Sequence, residues 1–204
     1  MVKAKALTTK TIFSAEIEKH LETCLSFVAF DPSKAALGSA VFRRATVDHH
    51  WMCSESFRLP KGWDELMCLA HVRFIARRHD VTHVVIEDQF VGNNPQAAMS
   101  VVESRMRVQV VARLLKLNVA TCLASTWQRR LLYRVGERFP ARTKGSTRMT
   151  IVPPRDVLKA RSVELALQYS PKKTMLDDEA DAICIGLFAT QMRTMTAQKD
   201  NENG

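Results

Sequence analysis

The sequence predicts a mixed α/β fold, in which three antiparallel strands precede parallel ones and helices cover both faces of a five-stranded sheet. Two observations lead to this prediction. Short apolar runs rich in Val, Ile and Phe recur along the chain, each bounded by turn residues, as in buried strands. Longer segments with apolar residues at helical spacing separate the later runs, so that the elements follow in the order β-β-β-α-β-α-β-α.

The three antiparallel strands come first. The run 25–31, which reads LSFVAFD, stops at Asp-Pro-Ser and has the form of a buried strand followed by a turn. Residues 38–43 and 46–51 alternate between apolar and polar side chains and predict two further strands, joined as hairpins. Asp31 is therefore expected at the end of the first strand.

Parallel strands and their connecting helices follow. Residues 60–80 carry an apolar stripe at helical spacing, and 81–86 is a β-branched run that ends at Glu87. A strand preceded by a helix is typical of a parallel crossover, which places Glu87 at the carboxyl end of the sheet. The remaining elements are predicted as a helix over 96–117, a strand over 119–124, helices over 127–135 and 155–168, a loop over 136–154 and a final helix over 176–190.

Length and composition are those of a globular protein. The 204 residues suit one folded domain, which we place at 25–190, with an arm and short helix over 1–24 and a disordered polar tail over 191–204. No apolar run approaches the roughly 20 residues that a bilayer span requires. The five cysteines lack metal-site spacing and no signal segment is evident, so we expect a reduced, cytoplasmic protein.

The net charge of +9 is unevenly placed. Between residues 125 and 160, nine Lys and Arg stand against Glu137 and Asp156, which gives +7 in 36 residues. Such an excess favours nucleic acid, because each neutralised phosphate releases counterions, although a merely solvated basic face is the alternative. Aromatic residues among the charges suit base stacking, and a core role for each ring also stays open. The candidate DNA-binding residues here are Trp127, Arg129, Arg130, Lys144 and Arg148.

The final helix begins with a cluster of acids, namely Asp177, Asp178, Glu179 and Asp181. Acidic side chains match the positive end of the helix dipole, so capping alone could account for them. Asp178 and Asp181, however, lie three residues apart on one helical face, where their charges repel unless a cation bridges them. Both interpretations stay open for this segment by itself.

Carboxylates also stand at two strand ends, Asp31 and Glu87. An Asp before Pro is common in turns, so Asp31 alone carries little weight. In the predicted order of elements, however, these two and the pair on the final helix could converge over the centre of one sheet. Two divalent ions about 3.5 to 4 Å apart, held by such carboxylates, can activate water for attack on phosphorus and stabilise the leaving 3′ oxygen. The set therefore indicates Mg²⁺ or Mn²⁺, two per site, and phosphodiester hydrolysis.

Three motifs carry a resemblance to a known family: FVAFDPSKAALG at 27–38, VVIEDQF at 84–90 and DDEADAICIG at 177–186. They resemble the RuvC-type Holliday junction resolvases, phage-type members included, of the ribonuclease-H-like superfamily, over most of residues 25–190. The resemblance implies the ribonuclease-H-like fold, with a mixed five-stranded sheet. The chain departs from the family at Ser33, where Gly is usual after Asp-Pro, and the loop over 136–154 has no counterpart in the compact bacterial members.

The resemblance also implies roles for individual residues. The metal-binding, catalytic carboxylates would be Asp31, Glu87, Asp178 and Asp181. Phe90 would reach into DNA beside the scissile bond, and Lys159 would contact the scissile phosphate. The helix over 96–117 would form a homodimer interface, a role that its broad apolar surface also favours. Arg105, on the same helix, is a further candidate for DNA binding, whereas Asp88 and Asp177 are expected not to be ligands.

We therefore expect a dimeric, metal-dependent endonuclease that cuts four-way DNA junctions by paired symmetric nicks in recombination and repair. It would need no organic cofactor or membrane, and would be nucleoid-associated, or in the host cytoplasm if phage-encoded. Two alternatives stay open. One is a ribonuclease-H-like nuclease for other branched DNA or for RNA-DNA hybrids, and the other is a junction-binding module without catalysis.

Overall fold

A five-stranded mixed sheet organises the chain. The computed structural model describes residues 17, 21–33, 35–45, 50–88, 95–141 and 148–202, with backbone only for 95–98 and 191–202. The principal strands are β1 Ser26–Pro32, β2 Leu37–Arg44, β3 Trp51–Leu59, β4 His83–Asp88 and β5 Asn118–Leu123. The helices are α1 Glu65–His79, α2 Pro95–Leu114, α3 Ala124–Leu131, α4 Arg155–Tyr169 and α5 Asp177–Glu202. A small ladder joins β6 Phe139–Pro140 to β7 Met149–Thr150, within the predicted loop.

The strand order is β3-β2-β1-β4-β5. The first three strands pair antiparallel as consecutive hairpins, whereas β4 pairs parallel with β1 and β5 pairs parallel with β4. Helix α1 makes the crossover from β3 to β4, and α2 makes the crossover from β4 to β5. The predicted α/β class, with a mixed five-stranded sheet and flanking helices, is confirmed. The topology brings the ends of β1 and β4 side by side at the middle of the sheet.

The two faces of the sheet bury separate cores, because successive side chains of a strand point to opposite sides. Phe27 and Ala29 of β1 pack with the apolar part of α5 on one face. Val28 and Phe30 pack with α1 and α2 on the other. Ile17, one of the few described residues of the predicted arm, is 1% exposed and joins the α5 face.

Helix α5 lies close against the sheet. A Cβ atom placed on Gly186 would come within 1.9 Å of the Phe42 ring, so glycine is required for this approach. The helical backbone extends to Glu202 and so includes most of the predicted disordered tail. Residues 187–202 contain neither Pro nor Gly, which permits the helix to continue. No helix of the described part of the chain is long and apolar enough to cross a membrane.

The sequence predicts the third strand over 46–51, of which 46–49 lie outside the described residues, whereas the structure has β3 at Trp51–Leu59. A bulge hides this strand in the sequence pattern. Val41 pairs with Glu55 but Phe42 pairs with Cys53, which leaves one extra residue, Ser54, in β3. Cys53 and Ser56 are consequently both buried although three residues apart, and the strict alternation that marks a strand in a sequence is lost. The helix predicted over 127–135 also starts earlier, at Ala124, directly after β5 and without a side-chain cap.

Candidate active site

Two acids lie side by side at the carboxyl ends of the central parallel strands. Phe30 of β1 pairs with Ile86 of β4, so the next residues, Asp31 and Glu87, are neighbours across the ladder. Both continue the side-chain alternation toward the α5 face. Asp31 is 5% exposed and Glu87 is 4% exposed, and their side chains share a hydrogen bond. Since a hydrogen bond between two carboxyls requires a proton, the pair is strained as a dianion.

The first turn of α5 adds two more acids above this pair. Asp31 pairs in register with Gly38 of β2, and a Cβ on Gly38 would come within 1.9 Å of the carbonyl oxygen of Asp178. The start of the helix therefore rests directly on that glycine. Asp181 follows three residues after Asp178, on the same face of the helix. Elements distant in sequence, β1, β4 and α5, thus bring together the four carboxylates predicted from the sequence.

The electrostatics of the cluster show that its acids are near enough to repel one another. Burial raises the pKa of Asp31 well above its usual value, and the neighbouring charges of Glu87, Asp181 and Asp178 raise it further. Burial also raises the pKa of Asp181 to about 7, which a hydrogen bond from Ser162 and the charge of Lys159 partly oppose. Buried like charges of this kind are stabilised when a cation lies between them.

Polar groups of the protein pair with Asp178 of the cluster and with the adjacent Asp177. The guanidinium of Arg58 donates from Nε to Oδ2 of Asp178 over 2.9 Å, and the hydroxyl of Ser33 lies 3.4 Å from Oδ1. Lys159 of α4 forms an ion pair with Asp177. Arg58 and Ser33 were not among the candidates from the sequence, because their proximity to Asp178 depends on strand register and on chain segments more than a hundred residues apart.

Trp127 is not a DNA contact, and the sequence prediction is wrong on this residue. Its side chain is fully buried, and the indole N–H donates to Oε1 of Glu87 over 3.1 Å. Helix α3 is amphipathic, so Trp127 faces the core while Arg129 and Arg130 are exposed. The aromatic among basic residues therefore orients a candidate ligand from inside the protein. The helical spacing of Trp127 with Leu131, which packs on the same core, is the signal that could have shown this.

The other DNA-binding candidates stay predictions. Arg148 is exposed, like the two arginines of α3. Arg105 forms an ion pair with Asp88 at the end of β4, and Lys159 is occupied by Asp177 as described. Phe90 and Lys144 lie outside the described residues.

The carboxylate oxygens of the cluster are the hard ligands that Mg²⁺ and Mn²⁺ prefer, so the donor set fits such an ion. This fit concerns the type of donor atom and not the arrangement of the side chains. In the described part of the chain, no group of three or more His, Cys, Asp or Glu side chains is arranged to hold a metal. Arg58 and Ser33 engage both oxygens of Asp178, so this carboxylate would reorient on binding an ion.

The same fold occurs in solved structures of Holliday junction resolvases. Thermus thermophilus RuvC in complex with a Holliday junction substrate superposes with a TM-score of 0.58 at 13% identity, over 84% of this chain and 96% of that one. The fowlpox virus resolvase gives 0.50 at 13% identity, over 83% and 99%. The yeast mitochondrial resolvase Ydc2 gives 0.50 at 11% identity, over 95% and 89%. No protein-family model and no curated protein sequence matches the chain. The predicted RuvC-like, ribonuclease-H-like fold is confirmed.

Replacing Asp181 by Asn should stabilise the metal-free protein above neutral pH. The folded-state pKa of Asp181 is raised from 3.8 to about 7, so the folded chain loses stability as pH rises through this interval, and the amide avoids that loss. In a chelator, thermal unfolding should show Asp181→Asn more stable than wild type at about pH 8, by roughly 1–3 kcal/mol, and little different below about pH 4. Asp80→Asn, at an exposed acid far from the cluster, should show no such pH dependence. A wild type that is the more stable at about pH 8 would contradict this account.

Trp127→Phe should leave the fold intact and remove the hydrogen bond that orients the Glu87 carboxylate. Loss of a group that orients a ligand typically lowers metal affinity or activity by about 10- to 100-fold. The matched control is Trp51→Phe, since the indole nitrogen of Trp51 is buried without a partner among the described residues. Calorimetric Mn²⁺ titration and nuclease assays should show the loss for Trp127→Phe alone. Equal behaviour of the two variants would remove Trp127 from the site.

Proposed function

We propose that the protein is a metal-dependent endonuclease that resolves four-way DNA junctions by paired, symmetric nicks. The observation that carries this proposal is the convergence of Asp31, Glu87, Asp178 and Asp181 at one edge of a sheet that has the resolvase fold. The neighbour Thermus thermophilus RuvC was solved with a Holliday junction substrate, which supports the same substrate class here.

The proposed site would hold two Mg²⁺ or Mn²⁺ ions through the four carboxylates. The chemistry that such ions would supply there is activation of water for attack on phosphorus and stabilisation of the leaving 3′ oxygen. The protein contributes the rest of the arrangement. Burial of Asp31 and Glu87 keeps the cluster out of bulk water, Trp127 orients Glu87, and Lys159 lies beside Asp177 where a scissile phosphate would approach. The products would carry 5′-phosphate and 3′-hydroxyl ends that a ligase can seal.

The basic region supports DNA as the substrate. Arg129 and Arg130 on the outer face of α3, and Arg148 beside β7, are exposed on the segment that connects β5 to α4. Phosphate contacts by such residues position DNA and make binding salt-dependent. The proposed DNA-binding set also includes Lys144, Arg105, Phe90 and Lys159. Trp127 is excluded from the set because it is buried.

A homodimer would place two such sites about a two-fold axis, which matches paired nicks in a four-way junction. Helix α2, the predicted interface, exposes apolar side chains along one stripe at helical spacing. They are Met99, Met106, Val110 and Leu114. An exposed apolar stripe of this length is unusual on a monomeric protein and is suited to a second copy of the same helix.

The role of the carboxylates can be separated from DNA binding. Asp31→Asn and Glu87→Gln should each reduce junction cleavage by more than about 100-fold, because loss of a ligand exceeds the effect of losing its supporting groups. Junction binding in a gel-shift assay should persist, since it depends on basic residues elsewhere. Asp80→Asn is the control and should cut normally. Retained cleavage in both site variants would contradict the proposed site, as would a parallel loss of binding and cutting.

The dimer is tested by placing charge on the stripe. Met106→Asp combined with Val110→Asp should give a folded monomer in sedimentation experiments, because like charges from both copies would be buried at the interface without a partner. Val135→Asp, at an exposed apolar residue after α3, is the matched control and should leave the oligomeric state unchanged. A double variant that stays dimeric would place the interface elsewhere. A wild type that is monomeric would contradict the proposed homodimer.

A further inference from the structure

The carboxylate of Asp178 is held by a cation that belongs to the protein itself. Arg58 Nε donates to Oδ2 over 2.9 Å, and Ser33 Oγ lies 3.4 Å from Oδ1. Both oxygens of a proposed metal ligand are thus engaged. The pair is only partly shielded, since 30% of the Arg58 side chain and 20% of the Asp178 side chain are exposed. The guanidinium therefore has solvent beside it into which it can move.

The position of Arg58 follows from the register of three strands. Asp31 of β1 pairs with Gly38 of β2, and Gly38 pairs with Arg58 of β3. Residues paired across antiparallel strands project to the same face, so Asp31 and Arg58 flank the glycine on which Asp178 rests. Asp178 therefore lies between an acid on one side and an arginine on the other. A cation shared with Asp31 would take Asp178 away from Arg58.

We propose that Arg58 is a positioning residue that holds the Asp178 carboxylate in the metal-free protein and must be displaced from it when a divalent cation binds. The inference rests on the proposed function, in which Asp178 is a metal ligand. A guanidinium is permanently charged and cannot itself ligate a metal. It would repel a divalent ion that coordinates the oxygen it contacts, so the two compete for one carboxylate.

Arg58 could either compete with the cation for Asp178 or support Asp178 as a ligand, and these two roles predict opposite changes in cation affinity when Arg58 is removed. If Arg58 merely kept Asp178 in its ligating position, removal of Arg58 would weaken cation binding. If Arg58 competes with the cation, removal strengthens binding, because neither an ion pair nor a repulsive charge has to be overcome. Because this ion pair is partly exposed, its removal should change the cation affinity by about fivefold.

The test is calorimetric titration with Mn²⁺, in the absence of DNA, of wild type and Arg58→Met, which keeps the side-chain length but has no donor. Arg58→Met should bind Mn²⁺ about fivefold more tightly than wild type. Arg78→Met is the control, because Arg78 also pairs with an acid, Glu55, but on the α1 side of the molecule. It should bind like wild type. Equal or weaker binding by Arg58→Met would overturn the proposal, as would equal tightening in Arg78→Met.

Two further measurements keep the proposal falsifiable. In a chelator, Arg58→Met should unfold at a lower temperature than wild type, and saturating Mn²⁺ should remove that difference. In an Asp178→Asn background, Arg58→Met should tighten Mn²⁺ binding by clearly less than about fivefold, since the ion pair with which the cation competes is gone and only the repulsion by the Arg58 charge remains. If Arg58→Met does not fold, Arg58→Gln replaces it in the titration and should bind Mn²⁺ more tightly than wild type, because its side chain is polar but carries no positive charge.

Failure of this inference is distinguishable from failure of the proposed function. A wild type that neither binds Mn²⁺ nor cuts a junction would overturn both. A wild type that binds Mn²⁺ and cuts, with Mn²⁺ affinity unchanged in Arg58→Met, would overturn the role of Arg58 alone.

Discussion

Mutual repulsion among buried acids is the constraint around which this molecule is arranged. Asp31 and Glu87 are nearly inaccessible to water and share a hydrogen bond, and α5 adds two more carboxylates within electrostatic reach. Left to themselves, such groups would move apart or into solvent. The arrangement persists because the apolar remainder of α5 is buried against the sheet, with glycines at positions 38 and 186 permitting close approach. Packing energy thus maintains an electrostatically unfavourable cluster, as is common at functional sites.

The parts of the fold that follow from local patterns were predictable. The apolar runs before Asp31 and Glu87 identify buried strands, and a helical segment between strands indicates a parallel crossover, so the two acids could be placed at one edge of a sheet. The acids of α5 were visible because an acidic start followed by an apolar run is a strong local signal. Predicting these elements from sequence requires no knowledge of which residues pair across the sheet.

The parts that depend on register or on side-chain direction were not predictable in this way. The bulge at Ser54 interrupts the alternation of β3, so the sequence pattern does not mark this strand and does not bring Arg58 to the site. Trp127 was assigned to DNA because it stands among arginines, yet helical geometry turns it inward to Glu87. Ser33, noted only as a departure from the resolvase pattern, proves to lie beside Asp178.

The resolvase fold is retained at 11–13% identity, so the likeness establishes architecture, and the chemistry has to be argued from this chain's own residues. The most direct test is cleavage of a synthetic four-way junction in Mg²⁺ beside a linear duplex and an RNA-DNA hybrid of matched sequence. Our account predicts symmetric nicks in the junction alone, lost in Asp178→Asn. Cutting of the hybrid or the linear duplex would contradict the junction assignment, and tight junction binding without cutting in Mg²⁺ or Mn²⁺ would contradict the enzymatic one.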